Sequence, residues 1–473
     1  MKVLLVNPMT KSVTKDIMPP LGLAWLAAVL EQNSINVSII DALVERKDAE
    51  TVAGEIGKAC PDIVGIYCGT DMRNDAFQVA NNIRKTGSGA TIVMGGPHVT
   101  FAAEDTLQNV PSVDIIVRGE GEETFAELVK ALNSGKELAG IRGVSFRNGK
   151  EIIHNLPRPF IEDLDALPTP ARHLLPMDKY DFRIPFSRVR ATSVLTGRGC
   201  PIGCIYCSTS FMWGRRIRVR SPQNVADEIE HIVKEYGIKG VYFFDDTFTF
   251  YKKRTMEICD EIIERNLGLT WFCESRVDSV DEELFRKMKQ AGCKIIAFGL
   301  ESGSQKMLDI MKKKISVPQS INAIQLCNKV GIKTKSFFMY GLPGELPEDI
   351  ESTWRLLYGL NSDIKVTGIC KIRPGTELEA MAKEESVLPK GFSWAKEAEV
   401  VPKYNQNERL DDEVAGVRAK VRRELFFQPA YILRQLKERN IRLLPHLAKI
   451  LYLYISMLVK SFWSQGEEKG RQN

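Results

Sequence analysis

The chain lacks what an ordinary dehydrogenase, a secreted scaffold or a nucleic-acid binder would need. No Gly-x-Gly-x-x-Gly follows the first apolar run, so nothing supports a nicotinamide-binding turn. Charge of one sign is scarce: 65 Lys+Arg stand against 60 Asp+Glu, too even a balance for a nucleic-acid surface. The N-terminus MKVLLVNP passes straight into a strand-like run without a long apolar h-region or a small-residue cleavage site. No signal peptide is therefore expected, and the chain reads as cytoplasmic. In a reducing compartment its ten cysteines serve as ligands or buried thiols and not as disulfides. With 44% apolar and 26% charged residues over 473 positions, the chain is globular and long enough for about three domains.

What is present is Gly199-Cys200-Pro201-Ile202-Gly203-Cys204-Ile205-Tyr206-Cys207, a C-x3-C-x2-C run with no other close cysteine pair in the second half of the chain. Three thiolates so close on one loop can wrap a single iron–sulfur cube. A cube normally takes four cysteines, so one iron is left for a small molecule with amino and carboxylate groups. A structural zinc site is the alternative, and it needs a fourth ligand, for which His231 and Cys259 are the nearest downstream candidates. The cysteines at 60, 68, 259, 273, 293, 327 and 370 fall mostly in strand or helix patterns and are expected in the core.

Through residue 135, short apolar runs alternate with helical patterns. Strands are expected at Val3–Asn7, Val37–Asp41, Asp62–Tyr67, Thr91–Gly95 and Val113–Arg118, giving a parallel doubly wound sheet over residues 1–140. Residues 141–188 hold a hairpin about Asn148-Gly149 and a proline-rich connector, the clearest domain boundary in the chain. Six further strands, from Ser193–Thr196 to Ile364–Ile369, alternate with helices and make a partial (β/α)6 barrel over 189–390. Residues 391–473 read as mostly helical. The expected fold is α/β throughout its first two domains.

Ligands of such sheets and barrels sit at the carboxyl ends of strands. In the first domain those ends carry Cys68-Gly69-Thr70, Gly95-Gly96-Pro97-His98 and Gly119-Glu120-Gly121-Glu122. In the second, the cysteine loop is followed by Asp245-Asp246, Glu274-Ser275-Arg276, Gly299-Leu300-Glu301-Ser302-Gly303, Gly341-Leu342-Pro343-Gly344-Glu345 and Arg373-Pro374-Gly375-Thr376. Glycine admits backbone close to a ligand, a carboxylate holds ribose hydroxyls or an ammonium, and an arginine forks onto a carboxylate. Helix capping explains any one of these ends and explains all five together poorly. The basic runs Arg215, Arg216, Arg218, Arg220 and Lys312 to Lys314 read as solvated faces.

The triad, with Tyr206 before its last cysteine, resembles the signature of the radical S-adenosylmethionine enzymes. The resemblance widens to their cobalamin-binding branch through Pro19-Pro20-Leu21-Gly22-Leu23, Gly95-Gly96-Pro97-His98-Val99-Thr100, Arg118-Gly119-Glu120-Gly121-Glu122 and Arg422-Arg423-Glu424-Leu425-Phe426-Phe427-Gln428-Pro429, and so covers nearly the whole chain. It implies a Rossmann-like cobalamin domain ahead of the barrel and a [4Fe-4S] cluster on Cys200, Cys204 and Cys207. It implies S-adenosylmethionine contacts at Tyr206, Asp245, Asp246, Glu274, Arg276, Glu301 and Gly341. Corrin contacts follow at Thr70, Gly95, Gly96, His98 and Glu120. It also implies a reducing partner such as flavodoxin or ferredoxin, since an electron must reach the cluster before an adenosyl radical can remove hydrogen and a methyl group be delivered. One departure is clear: none of the five histidines lies in Asp-x-His-x-x-Gly, so cobalamin is expected to lack a histidine lower ligand.

The stretch LLPHLAKILYLYISMLVKSFW, residues 443–463, has an apolar core too short for a span, with aromatic and lysine flanks. It is expected either to pack on the barrel or to lie at the inner membrane face as an amphipathic helix. The leading reading is methylation of an unactivated carbon in a hydrophobic lipid, isoprenoid or tetrapyrrole. The alternative within the branch is oxidative cyclisation of the magnesium-porphyrin cyclase kind. An RNA-modifying methylthiotransferase fits less well, because neither an appended RNA-binding domain nor a second cysteine triad is visible. A cobalamin sensor would have no use for the triad. Anaerobically reconstituted protein is expected to hold about four irons; the triple variant Cys200→Ala, Cys204→Ala, Cys207→Ala should lose both iron and adenosylmethionine cleavage, as checked by iron analysis and chromatography.

Overall fold

The computed structural model describes residues 1–10, 15–397, 401–407 and 409–426. The run Val3-Leu4-Leu5-Val6 is buried on both faces, as a strand sandwiched between helix layers must be. It forms the heart of β1 (Lys2–Asn7). Around it lie β2 (Asn36–Asp41), β3 (Ile63–Tyr67), β4 (Thr91–Gly95) and β5 (Ile115–Val117), all parallel. The sheet order is β2-β1-β3-β4-β5, so the chain reverses its lateral direction at β1, and the crevice above that switch faces outward at the strand carboxyl ends.

The hairpin expected in the connector belongs to this first sheet. Its strands β6 (Val144–Asn148) and β7 (Glu151–His154) continue the sheet antiparallel from β5. The proline-rich segment that follows is tied to both halves of the molecule. Ala171 donates its N–H to the Ala24 carbonyl at 3.0 Å, and Arg172 reaches the Ser193 carbonyl at 2.8 Å. Tyr180 donates to the buried Asp41 carboxylate at 2.7 Å.

The second sheet is entirely parallel, in the order β15-β14-β13-β12-β11-β8. Its strands are β8 (Ala191–Val194), β11 (Gly240–Phe243), β12 (Thr270–Ser275), β13 (Cys293–Glu301), β14 (Lys333–Tyr340) and β15 (Ile364–Ile369). The outer face, with Phe243, Trp271, Cys273, Ile296, Phe298 and Phe338, packs on the surrounding helices. The inner face clusters Phe182, Ile184, Tyr242, Phe272, Ile295 and Ala297. Six of the seven scattered cysteines are buried as expected; Cys60, in a left-handed turn after the helix Ala49–Ala59, is exposed. The helix Leu410–Phe426 lies on Pro347–Gly359, with Lys420 paired to Glu351 at 2.7 Å. The tail reading over 443–463 falls outside the described residues. Among the described residues no helix is long and apolar enough to cross a membrane.

A buried ion cluster sets the two domains face to face. The short antiparallel pair β9 (Gly197–Arg198) and β10 (Arg218–Val219) places Arg198 opposite Arg218, a repulsive arrangement on its own. Glu120, from the loop after β5, accepts from Arg198 at 2.8 Å and from Arg218 at 2.9 Å, while Glu122 accepts from Arg198 at 2.6 Å. All four side chains are buried. Arg198 also stands 5.1 Å from the Trp25 ring and 5.2 Å from the Trp213 ring. The arginine run after the cysteine loop is thus only half a solvated face: Arg215 and Arg216 are exposed, but Arg218 lies in this cluster and Arg220 pairs with buried Glu228. Removing one member of such a pair strands a buried charge, so Glu120→Gln is expected to cost about 3 kcal/mol in urea unfolding of the full chain, whereas exposed Arg215→Ala should stay within about 0.5 kcal/mol.

Candidate functional site

The cysteine loop leaves β8 through Gly199, whose φ of +108° belongs to glycine and whose hypothetical Cβ would lie 2.3 Å from the Arg216 carbonyl oxygen. That close approach folds residues 200–213 back over the barrel mouth. Ile205 donates its N–H to Met311 O at 3.2 Å and Cys207 to Cys204 O at 3.1 Å. Cys204 is buried, while Cys200 and Cys207 are partly open. Burial raises the Cys200 and Cys204 thiols, and Lys313 pulls Cys204 back toward the thiolate.

Three soft sulfur donors on one loop, within electrostatic reach of one another, suit an iron–sulfur cluster. The zinc alternative loses one of its two proposed fourth ligands, because Cys259 is fully buried with Cys293, Asp260 and Lys287 as its ionisable neighbours.

Around the loop, the expected contacts divide. Asp246 is exposed at the mouth and accepts from Thr209 of the cysteine loop at 2.8 Å. Glu274 accepts from the Tyr242 hydroxyl at 2.6 Å. Glu301 adopts a φ of +63° at the β13 bulge and pairs with Lys313 at 2.9 Å, and Lys313 also reaches the hydroxyl of half-buried Tyr206 at 3.4 Å. A left-handed non-glycine residue at a bulge costs free energy that its surroundings must offset. Arg276 is buried, held by Asp278 at 2.8 Å and by the Lys313 carbonyl at 3.0 Å. Lys313 was expected in a solvated run; its side chain is instead 12% exposed, and the turn it occupies braces the cysteine loop. Its position twelve residues after Glu301, between apolar Met311 and Ile315, is the only sequence sign of this.

Two expected barrel contacts face elsewhere. Asp245 turns inward, accepting from the Thr196 N–H at 2.9 Å and its hydroxyl at 3.1 Å, so it shapes the start of the cysteine loop. Gly341 donates to Glu345 at 2.5 Å and lies under Ile369 and Leu410, either of which would stand about 3 Å from a Cβ there.

Between the domains lies a cavity of about 780 Å³. Asn7, Gly69, Thr70, Gly95, Gly96 and Glu120 line it from the first sheet. Arg198, Ser208, Met212, Trp213, Phe244 and Arg373 line it from the barrel. Gly22 and Gly119 also line it, and a Cβ built on either meets nothing within 4 Å, so open space stands where side chains would be. A large planar cofactor fits this lining of glycine and apolar groups. Glu120 shows only its edge, its carboxylate being committed to Arg198, Arg218 and the Ile161 N–H. His98 is not on the wall. Its ring is fully buried, edge-on to Phe77 and Trp394 at 6.2 and 5.9 Å, with Nδ1 3.4 Å from the Thr70 hydroxyl. Burial, with Arg73 and Arg373, pushes its pKa down to about 3, leaving a neutral imidazole. Among the described residues no histidine lines the cavity.

Family comparison agrees with this geometry. Residues 194–357 match the radical SAM superfamily and residues 10–129 the B12 binding domain. An uncharacterized methyltransferase of Pyrococcus horikoshii is 37% identical over 93% of this chain and 95% of its own length. The anaerobic magnesium-protoporphyrin IX monomethyl ester cyclase of Rubrivivax gelatinosus is 32% identical over 77% of this chain and 67% of its own. The structure of the radical S-adenosylmethionine methyltransferase TsrM from Kitasatospora setae, with cobalamin and a [4Fe-4S] cluster bound, superposes with a TM-score of 0.68 at 22% identity, covering 81% of this chain and 76% of that one. The chain belongs to the cobalamin-dependent radical S-adenosylmethionine enzymes, whose cofactors are a [4Fe-4S] cluster, S-adenosylmethionine and cobalamin.

Burial pushes the Asp245 carboxyl up to about 6, with Arg254 and Thr196 only partly opposing it. The folded state then holds a proton that the unfolded chain has released, so stability falls as pH rises from about 4 to about 6 and stays lower above that. Asp245→Asn should flatten this part of the profile by roughly 2 kcal/mol, read from urea unfolding of both proteins at pH 4.5 and 6.5.

Proposed function

We propose that the chain transfers a methyl group to an unactivated carbon of a small apolar molecule held between its two domains. The observation that carries this reading is the interdomain cavity, which has cobalamin-domain strand ends on one side and the cysteine loop, through Ser208, Met212 and Trp213, on the other. In this reading Cys200, Cys204 and Cys207 hold the cluster, and Asp246, Glu274, Arg276 and Glu301 with its Lys313 partner orient S-adenosylmethionine at the open iron. Gly69, Thr70, Gly95 and Gly96 bring backbone against the corrin. The bound groups supply the electron, the hydrogen-abstracting radical and the methyl donor. The residues of the chain supply position and dryness: Trp25, Trp213, Phe244 and Met212 exclude water from the space where a carbon radical must meet its methyl donor.

An apolar substrate follows from that lining and from the tail at 443–463, whose aromatic and lysine flanks suit a membrane surface. Cyclisation is the second reading, favoured by the kinship with the magnesium-porphyrin cyclases. The deciding experiment uses protein loaded anaerobically with cluster and hydroxocobalamin, methyl-labelled S-adenosylmethionine, a reductant and metabolite extract from a strain lacking the gene. A labelled methyl group on an extract component is expected by mass spectrometry. An unlabelled, dehydrogenated product would move the assignment to cyclisation, and failure of the folded protein to bind cobalamin would overturn both readings.

A further inference from the structure

One end of the interdomain cavity holds more positive charge than its neighbours neutralise. Arg373 lines the wall from the barrel side, on the loop that follows β15. The loop is fixed: Ile372, fully buried, donates its N–H to the Pro402 carbonyl at 2.8 Å, and the Thr376 hydroxyl donates to the Arg373 carbonyl at 2.7 Å. The guanidinium is therefore held at the cavity wall on a rigid support, and its side chain keeps 31% of its surface open.

Its partner is Asp71, which also lines the cavity and accepts from Arg373 Nη1 at 2.6 Å. The same carboxylate faces Lys371, 3.9 Å away, and buried Arg73 feels both Asp71 and Arg373. Asp105 also acts on Arg73, which leaves this group at three cations to two carboxylates. A bond through one nitrogen uses a single one of the five guanidinium donors. The remaining charges on the wall do not correct the balance. Arg198, Glu120 and Glu122 close among themselves with Arg218, and Asp16 is exposed on the segment ahead of the helix Leu21–Gln32.

An anion entering this end meets charge already in place. In a largely apolar, glycine-lined space of about 780 Å³ a desolvated oxyanion costs free energy unless a cation stands opposite it, and a planar guanidinium matches two oxygens of a carboxylate or phosphate. Asp71 then competes with the anion for Arg373, and Lys371 remains to hold the aspartate.

We propose that Arg373 binds one oxyanion, a carboxylate or a phosphate ester, at this end of the cavity, in competition with Asp71. Two molecules can bring it: an amphiphilic substrate with one acidic group, or cobalamin through the phosphodiester of its nucleotide arm. In the first case the inference adds an acidic head to the apolar molecule of the proposed function and rests on that reading for where the molecule lies.

The test compares the full chain, loaded with its cluster, as wild type, Arg373→Met and Asp71→Asn. Both substitutions break the same ion pair, so a purely structural bridge moves both variants the same way, whereas an anion site moves them apart. Spectrophotometric titration with hydroxocobalamin and with cobinamide, the same corrin lacking the phosphodiester and nucleotide, reads the cofactor. If its phosphate is the occupant, Arg373→Met weakens hydroxocobalamin binding at least about ten-fold, Asp71→Asn tightens it, and cobinamide binding is unmoved. Calorimetry of cobalamin-loaded protein with octanoate, octyl phosphate and octanol reads the substrate. If its acid is the occupant, one of the anions binds at least about ten-fold tighter than the alcohol, a preference lost in Arg373→Met and increased in Asp71→Asn, while both corrins bind as they do to wild type. Shifts of the same sign in both variants, or no dependence on the anion in either titration, overturn the proposal and leave the cofactor assignment intact. If folded wild type binds neither corrin, the functional reading fails instead, and the octyl titrations on cluster-loaded protein decide the role of Arg373 by themselves.

Discussion

Two arginines opposite each other on a two-residue ribbon, buried with two glutamates from another domain, are the constraint on which the rest of this molecule depends. Arg198 and Arg218 would repel if left alone, and Glu120 and Glu122 would be intolerable without them. Each half of the cluster is thus a liability to its own domain that the opposite charges of the other relieve. The same ribbon flanks the cysteine loop, and the same glutamates start the helix beside the first sheet's crevice. Neutralising the charges therefore fixes where two cofactor sites stand relative to each other. Position of this kind is what radical chemistry asks of a protein, since the reactive carbon must meet its partner before it meets anything else.

The tie is reinforced away from the cluster. Buried Arg73 donates to three backbone carbonyls, those of Thr70, Trp394 and Glu397, and so ties the β3 loop to the segment after the barrel. Arg373 reaches Asp71 at 2.6 Å across the cavity edge. Gly375, with φ of +76°, lies so close to the Phe101 ring that a Cβ would stand about 2.3 Å from it. Charge, backbone hydrogen bonding and close contact each span the seam at a different point.

Much of this architecture is legible in the sequence because it is written locally. Apolar runs of four or five residues separated by helical periods mark both parallel sheets, and three cysteines on one loop state their own chemistry. What the sequence withholds depends on partners far along the chain. Arg218 reads as a solvated arginine until Glu120, 98 residues earlier, is found against it. The Asn148-Gly149 turn announces a hairpin without saying which sheet receives it. His98 and Asp245 sit in ligand-like stretches, yet each turns its side chain into the protein, because one residue of rotation at a strand end separates a wall from its backing. Lys313 shows the reverse error: a run of three lysines conceals the one whose neighbours pull it under the surface.

The cavity has no existence in either domain by itself. Its walls are the strand ends of one and the loop of the other, so whatever fills it touches both. By thermodynamic linkage, the free energy of filling that space adds to the cohesion of the two halves, and the empty and occupied molecules differ in resistance to unfolding by the logarithm of ligand concentration over its dissociation constant. Supply of the cofactor thereby becomes a determinant of how long the chain survives, and not only of whether it turns over.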